Sequence, residues 1–202
     1  LVVGCGGGGA GSNGGTGGSG GGGPPTTPDM GTLTNVSDST SFKLENVSSS
    51  MVLGIAAQSQ TAGADLAQET DTGTTDALWH FLPMGSSQFN IENMLTHQVA
   101  GIDNASTAAG AQALQWADNG TSDHLWAFYQ LKDGNYLIKN VNSGLYLEDA
   151  NSNATTSATI DQGARATSGT GCTCQEWTLT STGNAAYSAP ATASVLYSGQ
   201  DT

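Results

Sequence analysis

One segment occurs three times in this chain, and that repetition limits the fold more than any other feature. Each copy opens on an aromatic-led run ending in Asn: Phe42-Lys43-Leu44-Glu45-Asn46, Phe89-Asn90-Ile91-Glu92-Asn93 and Tyr136-Leu137-Ile138-Lys139-Asn140. The copies close on Trp79, Trp126 and Trp177. The openings lie 47 residues apart, as do the first two closings, and the third closing follows after 51. A unit this short cannot bury its own apolar face and must pack against its copies.

Within each copy, apolar and polar residues alternate at period two, as in Phe42/Leu44, Phe89/Ile91, Tyr136/Ile138 and Trp126/Phe128. Turn signals such as Asp118-Asn119-Gly120 and Asn142-Ser143-Gly144 separate these runs. That is strand periodicity, and helical spacing is nowhere sustained. Three copies of about four short strands give roughly twelve strands, and closing them into a barrel with a hairpin cap removes exposed sheet edges. The expected fold is all-β, a β-trefoil of three repeats with pseudo-threefold symmetry over residues 41–182.

The flanks differ in composition. Gly6 to Gly23 is almost entirely Gly with Ser, Asn, Thr and Ala, which offers no apolar surface against the cost of ordering. It reads as a disordered tether. Pro24, Pro25 and Pro28 stiffen a second linker, so residues 1–40 form one flexible approach to the folded part. Residues 183–202 read either as a tail or as the truncated start of a further module.

Seventeen acidic residues face four basic ones (Lys43, Lys132, Lys139, Arg165), a net charge of −13. Phosphate neutralisation needs a basic patch, so a nucleic-acid partner is excluded, as is direct attraction to an anionic membrane. The expected partner is neutral or cationic. Low charge density with abundant Ser, Thr, Asn and Gln suits an extracellular protein.

With its three Trp-anchored copies, the chain resembles the ricin B-type lectin family, also found as carbohydrate-binding modules on bacterial glycosidases. The family's Gln-x-Trp signature is matched by Gln175-Glu176-Trp177, while His124-Leu125-Trp126 and Ala77-Leu78-Trp79 depart at the Gln. The resemblance implies that a sugar-binding repeat carries an Asp after its second strand, a Gln and an aromatic residue about a dozen positions later, and a polar pair just before the closing Trp. The second repeat supplies Asp103, Gln115, Trp116, Asp123 and His124 as candidate carbohydrate-binding residues. Their chemistry fits the task. A carboxylate accepts charge-assisted bonds from vicinal hydroxyls, and an indole face covers the C–H face of a pyranose. The blander roles are a half-buried strand position for Trp116, turn shaping for Asp123 and a backbone bond for His124. Trp79, Trp126 and Trp177 are assigned to the core.

In the first repeat Ala56 takes the place of Asp103 and no aromatic follows Gln68, so its site is read as lost. The third repeat offers Glu148, Asp149, Asp161 and Gln162 without an aromatic, a weaker second site or simply a solvated acidic surface.

The opening Leu1-Val2-Val3-Gly4-Cys5 resembles the end of a bacterial lipoprotein signal peptide, which implies a lipidated Cys5 and a surface-displayed module. The alternative is a chance Cys. Gly6 after the Cys points to outer-membrane sorting in a Gram-negative host, and this lipid would be the sole link to a membrane. Cys172-Thr173-Cys174 lacks a second Cys pair, so no metal centre is expected, and the two cysteines either pair through a local turn or remain thiols. The Gly-rich start lacks the strand, Lys and helix of a phosphate loop, so no nucleotide or other cofactor is expected. Acidic residues lie in polar loops with nothing evident to shift them, and no nucleophile motif occurs, so the chain reads as non-catalytic. The leading expectation is a surface-tethered module binding neutral glycans. The alternatives are a trefoil spacer or protein-docking module with decayed sugar sites, or a hydrolase inhibitor.

Overall fold

The computed structural model describes residues 27–185 apart from 168 and 170. Cys5, the Gly-rich tether and residues 186–202 lie outside the described residues. Among the described residues thirteen strands form one sheet: β1 (Thr32–Thr34), β2 (Thr40–Asn46), β3 (Val52–Ile55), β4 (Leu66–Glu69), β5 (Trp79–Gly85), β6 (Gln88–Asn93), β7 (Val99–Ile102), β8 (Ala111–Trp116), β9 (Trp126–Gln130), β10 (Tyr136–Asn140), β11 (Tyr146–Asp149), β12 (Ala158–Gly163) and β13 (Trp177–Ala185).

Two strands of each repeat build a barrel. The antiparallel pairs β2–β5, β5–β6, β6–β9, β9–β10, β10–β13 and β13–β2 close a six-stranded ring. The remaining hairpins β3–β4, β7–β8 and β11–β12 cap one end, joined where β12 meets β4 and β8. The fold is therefore a β-trefoil, with Phe42, Phe81, Phe89 and Phe128 in contact inside the barrel.

The repeated residues have repeated jobs. Nε1 of Trp79, Trp126 and Trp177 donates to the carbonyls of Leu53, Ala100 and Leu147 at 2.9, 2.9 and 3.0 Å, tying each barrel strand to its cap hairpin. These indoles are fully buried. Nδ2 of Asn46, Asn93 and Asn140 donates to the carbonyls of Cys174, Asp76 and Asp123, while each Oδ1 accepts backbone amides of the turn that follows. A buried amide bonded at both ends explains why Asn ends each opening run.

The structure extends the folded part beyond the segment read as trefoil. Within the supposed linker, β1 pairs with β9, Leu33 opposite Tyr129. Asp29 accepts from the amides of Gly31 and Lys132, and its carbonyl accepts from Arg165. These partners provide the ordering energy that composition alone did not suggest. Cys172 and Cys174 are disulfide-bonded, with Cα atoms 5.1 Å apart. The 3₁₀ turn Thr173–Gln175 supplies the local bend that a regular strand lacks.

Candidate functional site

The second repeat carries a concavity of about 280 Å³ beside its cap hairpin. After β7 the chain turns through Asp103–Ala105, where Asn104 and Ala105 take φ of 52° and 49°. That left-handed geometry suits Asn, whose short polar side chain tolerates it, and it leaves Asp103 exposed on the rim. Strand β8 then returns in register, Val99 opposite Trp116, and ends with the Trp116 indole 43% exposed. The loop after it and the 3₁₀ turn Ser122–His124 bring Asn119, Thr121, Asp123 and His124 to the same hollow.

Two glycines make room for this arrangement. Gly63, at φ +83° in the preceding repeat, donates its amide to the Gln115 carbonyl at 2.8 Å, and a Cβ on it would lie 2.7 Å from Cζ3 of Trp116. Gly101 lies under the His124 ring, and a Cβ there would collide with the imidazole.

His124 is 3% exposed and sits between two carboxylates, Nδ1 3.3 Å from Oδ1 of Asp118 and Nε2 3.5 Å from Oδ2 of Asp123. Asp118 also accepts from Asn90 Nδ2 at 2.8 Å and from the Gly120 amide at 3.0 Å. Burial pushes its carboxyl up, but the Gly120 amide, His124 and Asn90 outweigh burial and hold it below the usual range. The series Asn90, Asp118, His124, Asp123 thus fixes the floor of the hollow, with Asp103 and Trp116 on its sides. Such a site presents hydrogen-bond acceptors next to an apolar ring, the arrangement that takes up a polyol with one C–H face.

Of the five residues picked from the sequence, Asp103, Trp116, Asp123 and His124 come together. Gln115 does not. It is fully buried, Nε2 donating to the carbonyls of Ser59 and Thr61 at 2.8 and 3.0 Å and Oε1 accepting from Thr96 at 2.7 Å. Successive strand residues point to opposite faces, so exposing Trp116 turns Gln115 inward. Gln68 and Gln162 do the same work, bonding carbonyls of the neighbouring repeat at Thr155 and at Ser106 and Ala108. The sequence reading missed Asn104, Asn119, Thr121 and the support from Asp118. Asp118-Asn119-Gly120 was legible only as a turn.

The third repeat does not assemble the same hollow. Gly163 faces Tyr146 where Trp116 faces Val99, so the aromatic wall is absent. Ala150 opens the turn that Asp103 opens in the second repeat. Asp149 falls one residue earlier, at the place of Ile102, and is fully buried with Oδ1 accepting from Gln68 at 3.2 Å. Glu148 takes the place of Gly101, and its carboxylate fills the space above Gly163 while accepting from Gln175. Gln162 is buried in its structural bonds and Asp149 is fully buried, while Glu148 and Asp161 stay half-buried beside them.

In the first repeat Ala56, Glu69 and Ala77 stand where Asp103, Trp116 and His124 stand in the second, with Asp76 matching Asp123. The expectation that nothing shifts the acidic residues fails here. Burial, then the charge of Asp76, pushes Glu69 up to about 7. Burial, then Glu148, pushes Asp161 up to about 7, and burial pushes Asp149 up to about 6.

A family profile described as a ricin-type β-trefoil lectin domain-like module matches residues 32–116 and 122–196. No curated protein matches the chain. Among solved structures, an exo-β-1,3-galactanase from Clostridium thermocellum is 25% identical with a TM-score of 0.68, covering 72% of this chain and 31% of that one. A designed threefold-symmetric protein, ThreeFoil, is 24% identical with a TM-score of 0.65, covering 69% and 96%. A ricin B-like lectin of Macrolepiota procera, solved with lactose, is 15% identical with a TM-score of 0.60, covering 72% and 98%. The chain thus spans about a third of the galactanase and nearly all of the two smaller proteins.

Proposed function

Because the chain belongs to the ricin-type β-trefoil lectin domain-like family, we propose that it is a non-catalytic carbohydrate-binding module with one main site, in its second repeat. The observation that carries this reading is the half-exposed Trp116 facing a hollow shared with Asp103, Asp123 and His124. The indole covers one face of a pyranose, Asp103 accepts from vicinal hydroxyls, and Asn104, Asn119 and Thr121 complete the polar rim.

A glycosidase holds two carboxylates about 5–9.5 Å apart across a cleft. Asp161 instead has Glu148 as its charged neighbour and Glu69 has Asp76, each neighbour pushing the carboxyl up after burial. None of these four acids lines the second-repeat hollow, which supports a binding role without catalysis. Lipidation at Cys5 and display outside the cell, at the outer membrane, complete the proposal. An open site of this kind binds weakly, and repeated display supplies avidity.

A glycan array followed by calorimetry tests the reading. The expected result is weak binding of a neutral oligosaccharide, lost in Trp116→Ala and reduced in Asp103→Ala. Equal binding by both variants removes the site from the second repeat. In the first repeat Glu69 takes the place of the indole and in the third Glu148 takes the place of Gly101, an observation that favours the spacer or docking role as the second reading. Failure of the folded protein to bind any glycan on the array selects it.

A further inference from the structure

We infer that the second-repeat site prefers a pyranose bearing a free ammonium group over its neutral counterpart and rejects sugars carrying a carboxylate. This rests on the sugar-binding reading above and adds a charge class to it.

The hollow is acidic, and no Lys or Arg lines it among the described residues. Asp103 lies on the rim, Asp123 in the floor and Asp118 behind the floor, against one imidazole, His124. Three carboxylates and one imidazole remain net negative in either protonation state of the ring. The four basic residues serve elsewhere. Lys43 is paired with Asp71 at 2.6 Å, Arg165 is buried against Glu176 at 2.7 Å, Lys139 lies over the rings of Tyr129 and Tyr146, and Lys132 is in the exposed turn after β9. With a net charge of −13, the whole molecule adds to the field in a concave site instead of opposing it.

Asp123 points to the ligand most directly. It is 5% exposed, it lines the hollow, and its Oδ2 lies 3.5 Å from His124 Nε2. Buried carboxylates are ordinarily held by shorter, charge-assisted bonds. An ammonium entering the hollow would supply one, and the face of Trp116 would add a cation–π contribution. A uronic or sialic acid brings its anion towards three carboxylates.

The test compares four sugars built on one ring, the free amine, the N-acetyl form, the neutral parent and the uronic acid, by calorimetry at a mildly acidic pH that keeps the amine protonated. At low ionic strength the amine is expected to bind about five- to tenfold more tightly than the neutral parent, and the uronic acid more weakly than that parent. The advantage should shrink in roughly 1 M salt, where screening acts over about 3 Å. Asp103→Asn should bring the amine-to-neutral ratio towards one while the neutral parent still binds. Glu45→Gln, which removes one exposed charge on β2, should leave the ratio unchanged. Equal affinity for amine and neutral parent at low salt overturns the inference and leaves the sugar reading intact. A loss in Glu45→Gln matching that in Asp103→Asn also overturns it, because net charge would then suffice. If no form binds, including the neutral parent, the sugar reading itself falls.

Discussion

The second and third repeats share one backbone plan and differ in what stands over one small patch of it. In the second, Gly101 leaves space that His124 fills, and Trp116 is pushed outward to wall a hollow. In the third, the glycine has moved to position 163 and Glu148 occupies the space, so the same locus is closed by a carboxylate bonded inward. The first repeat is intermediate. It keeps a glycine at position 54 and an acid at Asp76 but puts Glu69 where the indole would be. The scaffold bonds of Trp, Asn and Gln are shared by all three repeats, so the trefoil survives while the site is free to vary. On the proposed reading, fold and sugar binding are carried by different residues of the same strands.

The largest effect expected from this contrast comes from Trp116→Ala, which should weaken glycan binding at least about tenfold by calorimetry, with little change in melting temperature because the ring is half exposed. The converse is to build the missing site. Ala56→Asp, Glu69→Trp and Ala77→His together, over the glycine already at position 54, should raise the calorimetric stoichiometry from one to two. Next comes Gly101→Ala, whose Cβ displaces the His124 ring. It should cost about 1–3 kcal/mol in chemical denaturation and several-fold in affinity. Gly54→Ala should cost less, because its nearest neighbour, Oε2 of Glu69 at 3.1 Å, ends a flexible chain that can move aside. Gln115→Ala should separate scaffold from site, losing about 1–3 kcal/mol of stability while the folded protein keeps its affinity within about twofold.

The smallest effect is a pH dependence that, between about pH 5 and 8, comes from the first and third repeats. Glu69 and Asp161 are raised to about 7 and Asp149 to about 6, so the stability these protonated groups contribute is full below about pH 4 and is lost as pH rises towards 7. Asp118 and Asp71, both lowered, act in the opposite sense, their contribution present above about pH 4 and lost as pH falls further. The melting temperature should therefore decline by a few degrees from pH 5 to 8. Asp161→Asn should flatten that decline, and Asp103→Asn should not.

The trefoil was legible in the sequence because its determinants recur at a fixed period and each is an apolar or amide residue with one structural task. The candidate hollow was legible in part. Asp103, Trp116, Asp123 and His124 could be found because a carboxylate, an indole and a polar pair stand out against a background of Ala, Ser and Gly. Gln115 was misplaced because strand alternation forces neighbours to opposite faces, and its pairing with Trp116 in sequence concealed that. Asp149 was misplaced by one residue of register, which exchanged a rim position for a core one. The strand β1 and Asp29 before it left no mark on their own short stretch, since the partners Tyr129 of β1 and Lys132 and Arg165 of Asp29 are about a hundred or more residues away. Gly63 and Gly101 could not be read either, because what requires a glycine is a ring arriving from elsewhere in the chain.

The central claim, that a single indole-walled hollow in the second repeat takes the sugar, is tested most directly by following the four indole N–H resonances during titration with the best neutral oligosaccharide from the array. The account predicts that the Trp116 resonance shifts in a saturable manner while Trp79, Trp126 and Trp177, fully buried and bonded to backbone carbonyls, stay in place. Saturable binding that leaves the Trp116 resonance unmoved would contradict it.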